Sequence, residues 1–243
     1  MKQKKNQSHN LSDIPLVILA GGKGSRLHEY TQKIPKPLIK LKNRPLIEII
    51  INHYENYGVK KFIIAGGYKY ELFKKHFKKK KNVIVVNTGR NSLTGKRIKK
   101  IEKYVSENFF FLTYGDGISD INIKKLYSFH LKHKKIATMT GVRPPSRFGV
   151  LNIKNQVLTS LAEKPQLSTG WINGGYFVFK KEFFKLLDFK NVMLERDPMA
   201  KLCKKKQINV YLHDKFWRCV DTARDLKLLE EMNLNKFKWL NKK

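Results

Sequence analysis

Between Leu19 and Leu27 the chain reads LAGGKGSRL, a turn of three glycines with Lys23, Ser25 and Arg26, set directly behind the apolar run Leu16–Ala20. Backbone N–H groups in such a turn can approach an anion closely, and the three side chains add donors. A phosphate loop of the Walker kind needs G-x-x-x-x-G-K-[ST], but Gly22-Lys23 is followed by glycine and Gly95-Lys96 by Arg97. The dinucleotide fingerprint G-x-G-x-x-G fails as well, because Gly22 and Gly24 lead to Leu27 and no acidic residue follows at the expected distance. Hydride chemistry is thereby disfavoured. A second cationic point, Lys36, lies in KIPKPL, where Pro35 and Pro37 restrict the backbone on either side. Cations converging on a glycine turn suit a triphosphate; the competing reading is an ordinary strand-to-helix turn with surface lysines.

Two aspartates occupy comparable places. Asp116 sits in Tyr-Gly-Asp-Gly behind the apolar run Phe109–Tyr114, and Asp221 sits in Val-Asp-Thr ahead of the last helical stretch. By type and position alone, each reads equally well as a helix cap or an Asx turn.

The elements that must position these residues alternate. Short apolar runs predict strands over 15–20, 61–65, 83–86, 109–114 and 136–142, and amphipathic stretches predict helices over 45–57, 70–77, 95–104 and 122–132. That rhythm is α/β, a Rossmann-like doubly wound, mostly parallel sheet with right-handed crossovers. From Phe148 the rhythm changes. VLNI, VLTSLAEK and GGYFVF follow one another closely, as in a small antiparallel extension; helices are expected near 181–187 and 198–204, with a strand pair around 209–220 between the second of these and the last helix. That helix is expected over 222–235, with Leu226, Leu229, Glu230 and Asn233 at helical spacing. In such a sheet ligands lie beyond the carboxyl ends of the strands, where the glycine turn and Asp116 both fall.

Composition excludes little but constrains the setting. The formal net charge is +32, from 51 basic and 19 acidic residues, which invites a nucleic-acid reading. Only nine of the basic residues are arginine, and the lysines are spread through nearly every segment, as in a proteome-wide bias and unlike a groove reader. No specific nucleic-acid partner is expected. LVILA is too short for a signal peptide's apolar region or a membrane span, so a cytoplasmic protein without a membrane partner is expected. Cys203 and Cys219 lack metal-ligand spacing and read as reduced thiols. Residues 1–13 read as a flexible basic tail and 14–243 as one domain.

LAGGKGSRL followed by PKPL resembles the signature of the nucleoside-diphosphate-sugar pyrophosphorylases, nucleotidyltransferases that join a nucleoside triphosphate to a sugar 1-phosphate. The resemblance is strongest to the glucose-1-phosphate cytidylyltransferases, and it runs on through GYKYE (67–71), NTGRNSLTGKR (87–97), FLTYGDGISD (111–120), PPSRFG (144–149), AEKP (162–165), INGGYFVF (172–179) and FWRCVDT (216–222). The chain departs from that family in a shorter segment after GYKYE, in Asn87 where the family has aspartate, and in Lys96 where it has a second glycine.

The resemblance implies a GT-A-like nucleotidyltransferase fold, CTP and glucose 1-phosphate as substrates, Mg2+ as cofactor, and a homo-oligomer that supplies nucleotide sugar for polysaccharide synthesis. It also assigns residues. Asp116 and Asp221 would hold the metal, with Asp116 also on the nucleotide side; Arg26 and Lys36 would grip the triphosphate. The backbone of Leu19, Ala20, Gly21, Gly22, Gly24 and Ser25 and the turn at Thr94 and Gly95 would border the nucleotide, with Arg97 reaching the triphosphate. Lys164 would contact the acceptor phosphate and Glu163 a sugar hydroxyl. Asn173, Gly174, Gly149 and Trp217 would complete that pocket. Related enzymes act on phosphorylated polyols or on a phosphorylated glutamine in capsule modification, and a non-catalytic nucleotide sensor is a further alternative. Such enzymes need no covalent intermediate: positioning and charge neutralisation carry the in-line displacement.

Overall fold

The computed structural model describes residues 10–146, 150–162 and 170–232. Gly149, Glu163 and Lys164 lie outside these ranges, as does Asn233.

The chain opens with β1 (Leu16–Ala20), the short α1 (His28–Thr31), the two-residue strands β2 (Lys40–Leu41) and β3 (Arg44–Pro45), and α2 (Leu46–Glu55). It continues through β4 (Phe62–Gly66), α3 (Tyr70–His76), β5 (Val83–Asn87), α4 (Thr94–Ile101), β6 (Phe109–Tyr114), β7 (Gly117–Ser119), α5 (Ile123–His133) and β8 (Ala137–Val142). The remaining elements are β9 (Val150–Lys154), β10 (Val157–Ala162), β11 (Ile172–Lys180), α6 (Asp197–Lys204), β12 (Ile208–His213), β13 (Trp217–Cys219) and α7 (Ala223–Glu231).

Seven strands form one sheet in the order β12-β8-β11-β6-β1-β4-β5. β1 pairs in parallel with β4 on one flank and β6 on the other, so Leu19 stands in register with both Ala65 and Tyr114. The order reverses between β1 and β6. Loops leaving adjacent strand ends in opposite directions there open a crevice, the place where open α/β sheets hold ligands. The period of two along β1 divides its side chains between two cores. Leu16, Ile18 and Ala20 pack with Ile50 and Tyr54 of α2 and Leu126 of α5, while Val17 and Leu19 pack with Ile98 of α4 and Leu202 of α6.

Three details differ from the sequence-based expectation. β11 is part of the central sheet, antiparallel between β6 and β8, so of the three strands of the expected extension β9 and β10 alone form a separate antiparallel hairpin. The expected strand pair near 209–220 separates: β12 joins β8 in parallel at the sheet edge, and β13 pairs antiparallel with β7. At the N-terminus, Leu11–Asp13 form a 3-10 turn capped by the Asn10 side chain, and Leu11 is buried in the core. An apolar side chain that finds a core cavity removes its residue from the tail.

Candidate active site

The glycine turn leaves β1 into the crevice as expected. Gly22 is exposed, and a Cβ there would meet nothing within 4 Å. Gly24 has φ 64°, a left-handed conformation, and a Cβ on it would come within 2.9 Å of Thr31 and 3.1 Å of Lys36. Glycine is therefore required for the turn to lie against Lys36. Leu19 and Ala20 are buried, and the Leu19 carbonyl accepts the Gly115 N–H at 3.1 Å, joining the turn to the Asp116 loop. Ser25 and Arg26 open an exposed 3-10 turn.

Lys36 lies at the centre. Its ammonium donates to Asp116 Oδ2 at 2.7 Å and to Asp221 Oδ1 at 2.8 Å, while Arg26 donates to Asp221 Oδ2 at 2.8 Å. The lysine side chain is only 11% exposed. Burial alone would lower its pKa, but the charge of Asp116 and its hydrogen bonds to Asp116 and Asp221 hold it above the ordinary lysine value. For Asp221 burial works against ionisation, and Lys36 and Arg26 outweigh it, so its carboxyl stays below the usual range. Pro37 packs within 2.7 Å of where a Gly115 Cβ would be, which sets KPL directly against the Tyr-Gly-Asp-Gly turn.

The two aspartates come from distant parts of the chain. The β7–β13 ladder pairs Cys219 with Gly117, and the Val220 N–H donates to the Asp116 carbonyl at 3.0 Å. A capping box then fixes Asp221: Asp225 accepts the N–H groups of Asp221 at 3.0 Å and Thr222 at 2.8 Å, and Thr222 Oγ1 accepts the Asp225 N–H. Thr-x-x-Asp at 222–225 was a readable signal for that support. Alternation along β13 turns Cys219 to the same side as Trp217, and its thiol joins the aspartates with ligand atoms within 4.8 Å of one another. Burial, then the charge of Asp116, pushes the thiol pKa up.

Convergence of Asp116 and Asp221 on one cationic nitrogen tests whether the pair fits a metal. Two carboxylates aimed at a single positive centre supply oxygen donors of the kind that Mg2+ takes.

Of the residues that the resemblance assigns to the acceptor, Trp217 and Gly174 are brought together, Trp217 Nε1 donating to the Gly174 carbonyl at 2.8 Å. Asn173 Oδ1 accepts the Gly175 N–H at 2.9 Å.

The nucleotide side holds the corrections. Arg97 does not face the crevice: it is 3% exposed, with its guanidinium in a cage of backbone carbonyls. Nη2 donates to Gly21 O at 2.8 Å, and Nη1 donates to Thr88 Oγ1 at 2.6 Å and Gly89 O at 2.9 Å. Burial lowers its pKa to about 10. With Nη1 also 3.3 Å from the Gly66 carbonyl, Arg97 ties the end of β4 to the loops after β1 and β5, and does not reach toward a triphosphate. Its burial follows from helical spacing, since residues 97 and 101 share the core face of α4. Gly95 is likewise buried, and Thr94 is half-buried. The Gly95 N–H donates to Val192 O at 3.0 Å, and the Thr94 hydroxyl accepts from Leu194 N at 2.7 Å and donates to Glu195 at 3.1 Å.

A Cβ at Gly21 would lie 2.0 Å from Arg97 Nη1. Gly21→Ala is expected to expel the guanidinium and destabilise the protein by about 2–4 kcal/mol in urea unfolding. Gly21→Ala combined with Arg97→Ala should cost less than the sum of the two, and strict additivity would show that the clash is relieved elsewhere.

The sheet, the glycine turn and the carboxylate pair define a nucleotidyltransferase, and the family model for nucleotidyl transferases matches residues 16–232; the chain belongs to that family. It is 36% identical over 240 residues to the glucose-1-phosphate cytidylyltransferase of Salmonella typhimurium, a match covering 88% of this chain and 93% of the relative. A probable glucose-1-phosphate cytidylyltransferase of Bacillus subtilis is 35% identical over 241 residues, covering 89% and 94%. Among solved structures, HddC from Yersinia pseudotuberculosis superposes with a TM-score of 0.69 at 25% identity, covering 90% of this chain and 98% of that one.

Proposed function

We propose that the protein joins CTP to glucose 1-phosphate, giving CDP-glucose and pyrophosphate. The observation that carries this reading is the Lys36 ammonium bridging Asp116 and Asp221 at the switch point of the sheet, supported by the cytidylyltransferases the chain resembles. In the reaction an acceptor phosphate oxygen attacks the α-phosphorus in line, a P–O bond forms, and the bond to the leaving pyrophosphate breaks. Asp116 and Asp221 would hold Mg2+, whose charge neutralises phosphate oxygens. Lys36, freed from the carboxylates, turns its ammonium to the triphosphate. Arg26, largely exposed at the mouth, closes on the β- and γ-phosphates. The exposed backbone at Gly22 and Ser25 meets the phosphate chain. Asn173, Gly174 and Trp217 orient the acceptor, together with Lys164, Glu163 and Gly149 on the resemblance alone. No acid or base is needed on an acceptor phosphate that is already ionised; positioning and charge do the chemistry.

The β9–β10 hairpin exposes Ile153, Val157, Leu158 and Leu161, each more than half accessible, and this supports the homo-oligomer reading. No helix among the described residues is long and apolar enough to cross a membrane. The cytoplasmic assignment rests on the nucleoside triphosphate substrate.

A pyrophosphate-release screen crossing the four ribonucleoside triphosphates and dTTP with sugar 1-phosphates, polyol phosphates and phosphorylated glutamine tests the proposal. CTP with glucose 1-phosphate is expected to give the highest kcat/KM. A higher value for another pair reassigns the substrates, and no release with any pair overturns the catalytic reading in favour of a sensor.

A further inference from the structure

Between β13 and α7 the side chains alternate. Val220 is fully buried in the core, so Cys219 and Asp221, two residues apart, stand half-buried on the opposite side. Directly across the ladder from Cys219 is Gly117, where even an added Cβ would find no atom nearer than Trp217 Nε1 at 3.9 Å. The thiol therefore has no cross-strand side chain over it, and the residue before that glycine is Asp116. The Val220 N–H on the Asp116 carbonyl at 3.0 Å fixes the two segments against each other, so the backbone sets the spacing of all three side chains. Cys219 Sγ and one oxygen each from Asp116 and Asp221 lie within 4.8 Å of one another. The Lys36 ammonium, donating to both aspartates, shows that the cluster already holds a positive centre.

Donor atoms that share one ion stand up to about 4.4 Å apart, given bonds of about 2.1 Å to oxygen and about 2.3 Å to sulfur. The three atoms here meet that spacing to within a few tenths of an ångström. We propose that Cys219 is a third ligand of the cation held by Asp116 and Asp221, and that its sulfur makes the centre take a thiophilic divalent ion such as Co2+ or Zn2+ in preference to Mg2+. The inference rests on the cation-holding role given to the two aspartates under the proposed function. Two carboxylates alone are a hard, all-oxygen set suited to Mg2+, whereas sulfur adds a soft donor that Mg2+ does not use. When such an ion binds, the S–H bond breaks and a sulfur–metal bond forms, the proton passes to solvent, and no oxidation state changes. The ion takes the place of the Lys36 ammonium, one positive centre for another.

The test is a Co2+ titration of the protein with CTP and no acceptor, in a Cys203→Ser background that removes the other, exposed cysteine. A sulfur-to-cobalt charge-transfer band is expected in the near ultraviolet, and Cys219→Ser and Cys219→Ala should each abolish it. Both variants should weaken Co2+ binding about tenfold, while the Mg2+ affinity, read by competition against Co2+, moves about twofold or less. Asp221→Asn should shift the midpoint of the band to about tenfold higher Co2+, because the sulfur and the carboxylate share the ion. Absence of the band, its survival in Cys219→Ser, or a midpoint that Asp221→Asn leaves unchanged overturns the proposal. Co2+ binding that gives no band but still weakens in Asp221→Asn overturns the part given to Cys219 and leaves the carboxylate pair as the holder of the cation.

Discussion

Asp221→Asn and Asp116→Asn are each expected to lower kcat for pyrophosphate release by on the order of a thousandfold while the melting temperature stays near that of the parent. The two side chains meet at one cation, so either loss leaves a single carboxylate to balance the positive charge that the phosphates require. Asparagine retains the shape and keeps one oxygen that can accept from Lys36, and the capping box that holds Asp221 uses its backbone N–H, which the substitution leaves in place. The stability cost is limited on both counts: Arg26 is 69% exposed, an ion pair of that kind contributing about 0–1 kcal/mol, and the buried Lys36 keeps the other carboxylate as a charged partner in either variant. Near-parental turnover in both variants would remove the carboxylate pair from the chemistry.

The second large effect is on stability in mild acid. His130 and His53 are buried, and desolvation lowers their pKa values to about 3 and about 4. Thr138 Oγ1 sits between His130 Nδ1 at 2.8 Å and His133 Nε2 at 2.7 Å, donating to one ring and accepting from the other, an arrangement that keeps an unprotonated nitrogen. The unfolded chain takes up protons near pH 6.5 and the folded chain does not until much lower. Stability is accordingly full above about pH 6.5 and is lost as pH falls toward the folded values. Between pH 7 and pH 5 the two histidines together should cost about 4 kcal/mol, read by urea unfolding at each pH. His130→Phe keeps the edge contact with Phe109, leaves His133 to satisfy Thr138, and should remove about half of that difference. An unchanged difference would mean that the acid sensitivity resides elsewhere.

Much of the site was legible because it lies at strand ends. LAGGKGSRL follows β1, Asp116 follows β6, and a parallel sheet leaves these ends adjacent at its switch point whatever the loops do. The partners of Lys36 were legible only through the resemblance, since nothing local says that residues 36, 116 and 221 meet. Arg97 was misread because the resemblance put it on the nucleotide side, while its place on the buried face of α4 demanded an internal partner. β11 and β12 were misplaced for a related reason. Their alternation predicts strands, but which edge each joins depends on pairings with β6 and β8 that carry no short-range signal.

The ladder between β7 and β13 also orders events in time. Asp116 takes its place as soon as β6 pairs with β1, but the carboxylate opposite it arrives only when Trp217–Cys219 zip onto Gly117–Ser119. During synthesis the sheet can form while the crevice still has one charge of its pair, and Lys36 has a single partner to hold. The central ion cluster is complete only once β13 and the Asp221 that follows it are in place. A chain halted before β13 would lack Asp221 and, with it, the Val220, Leu226 and Leu229 side chains of the core.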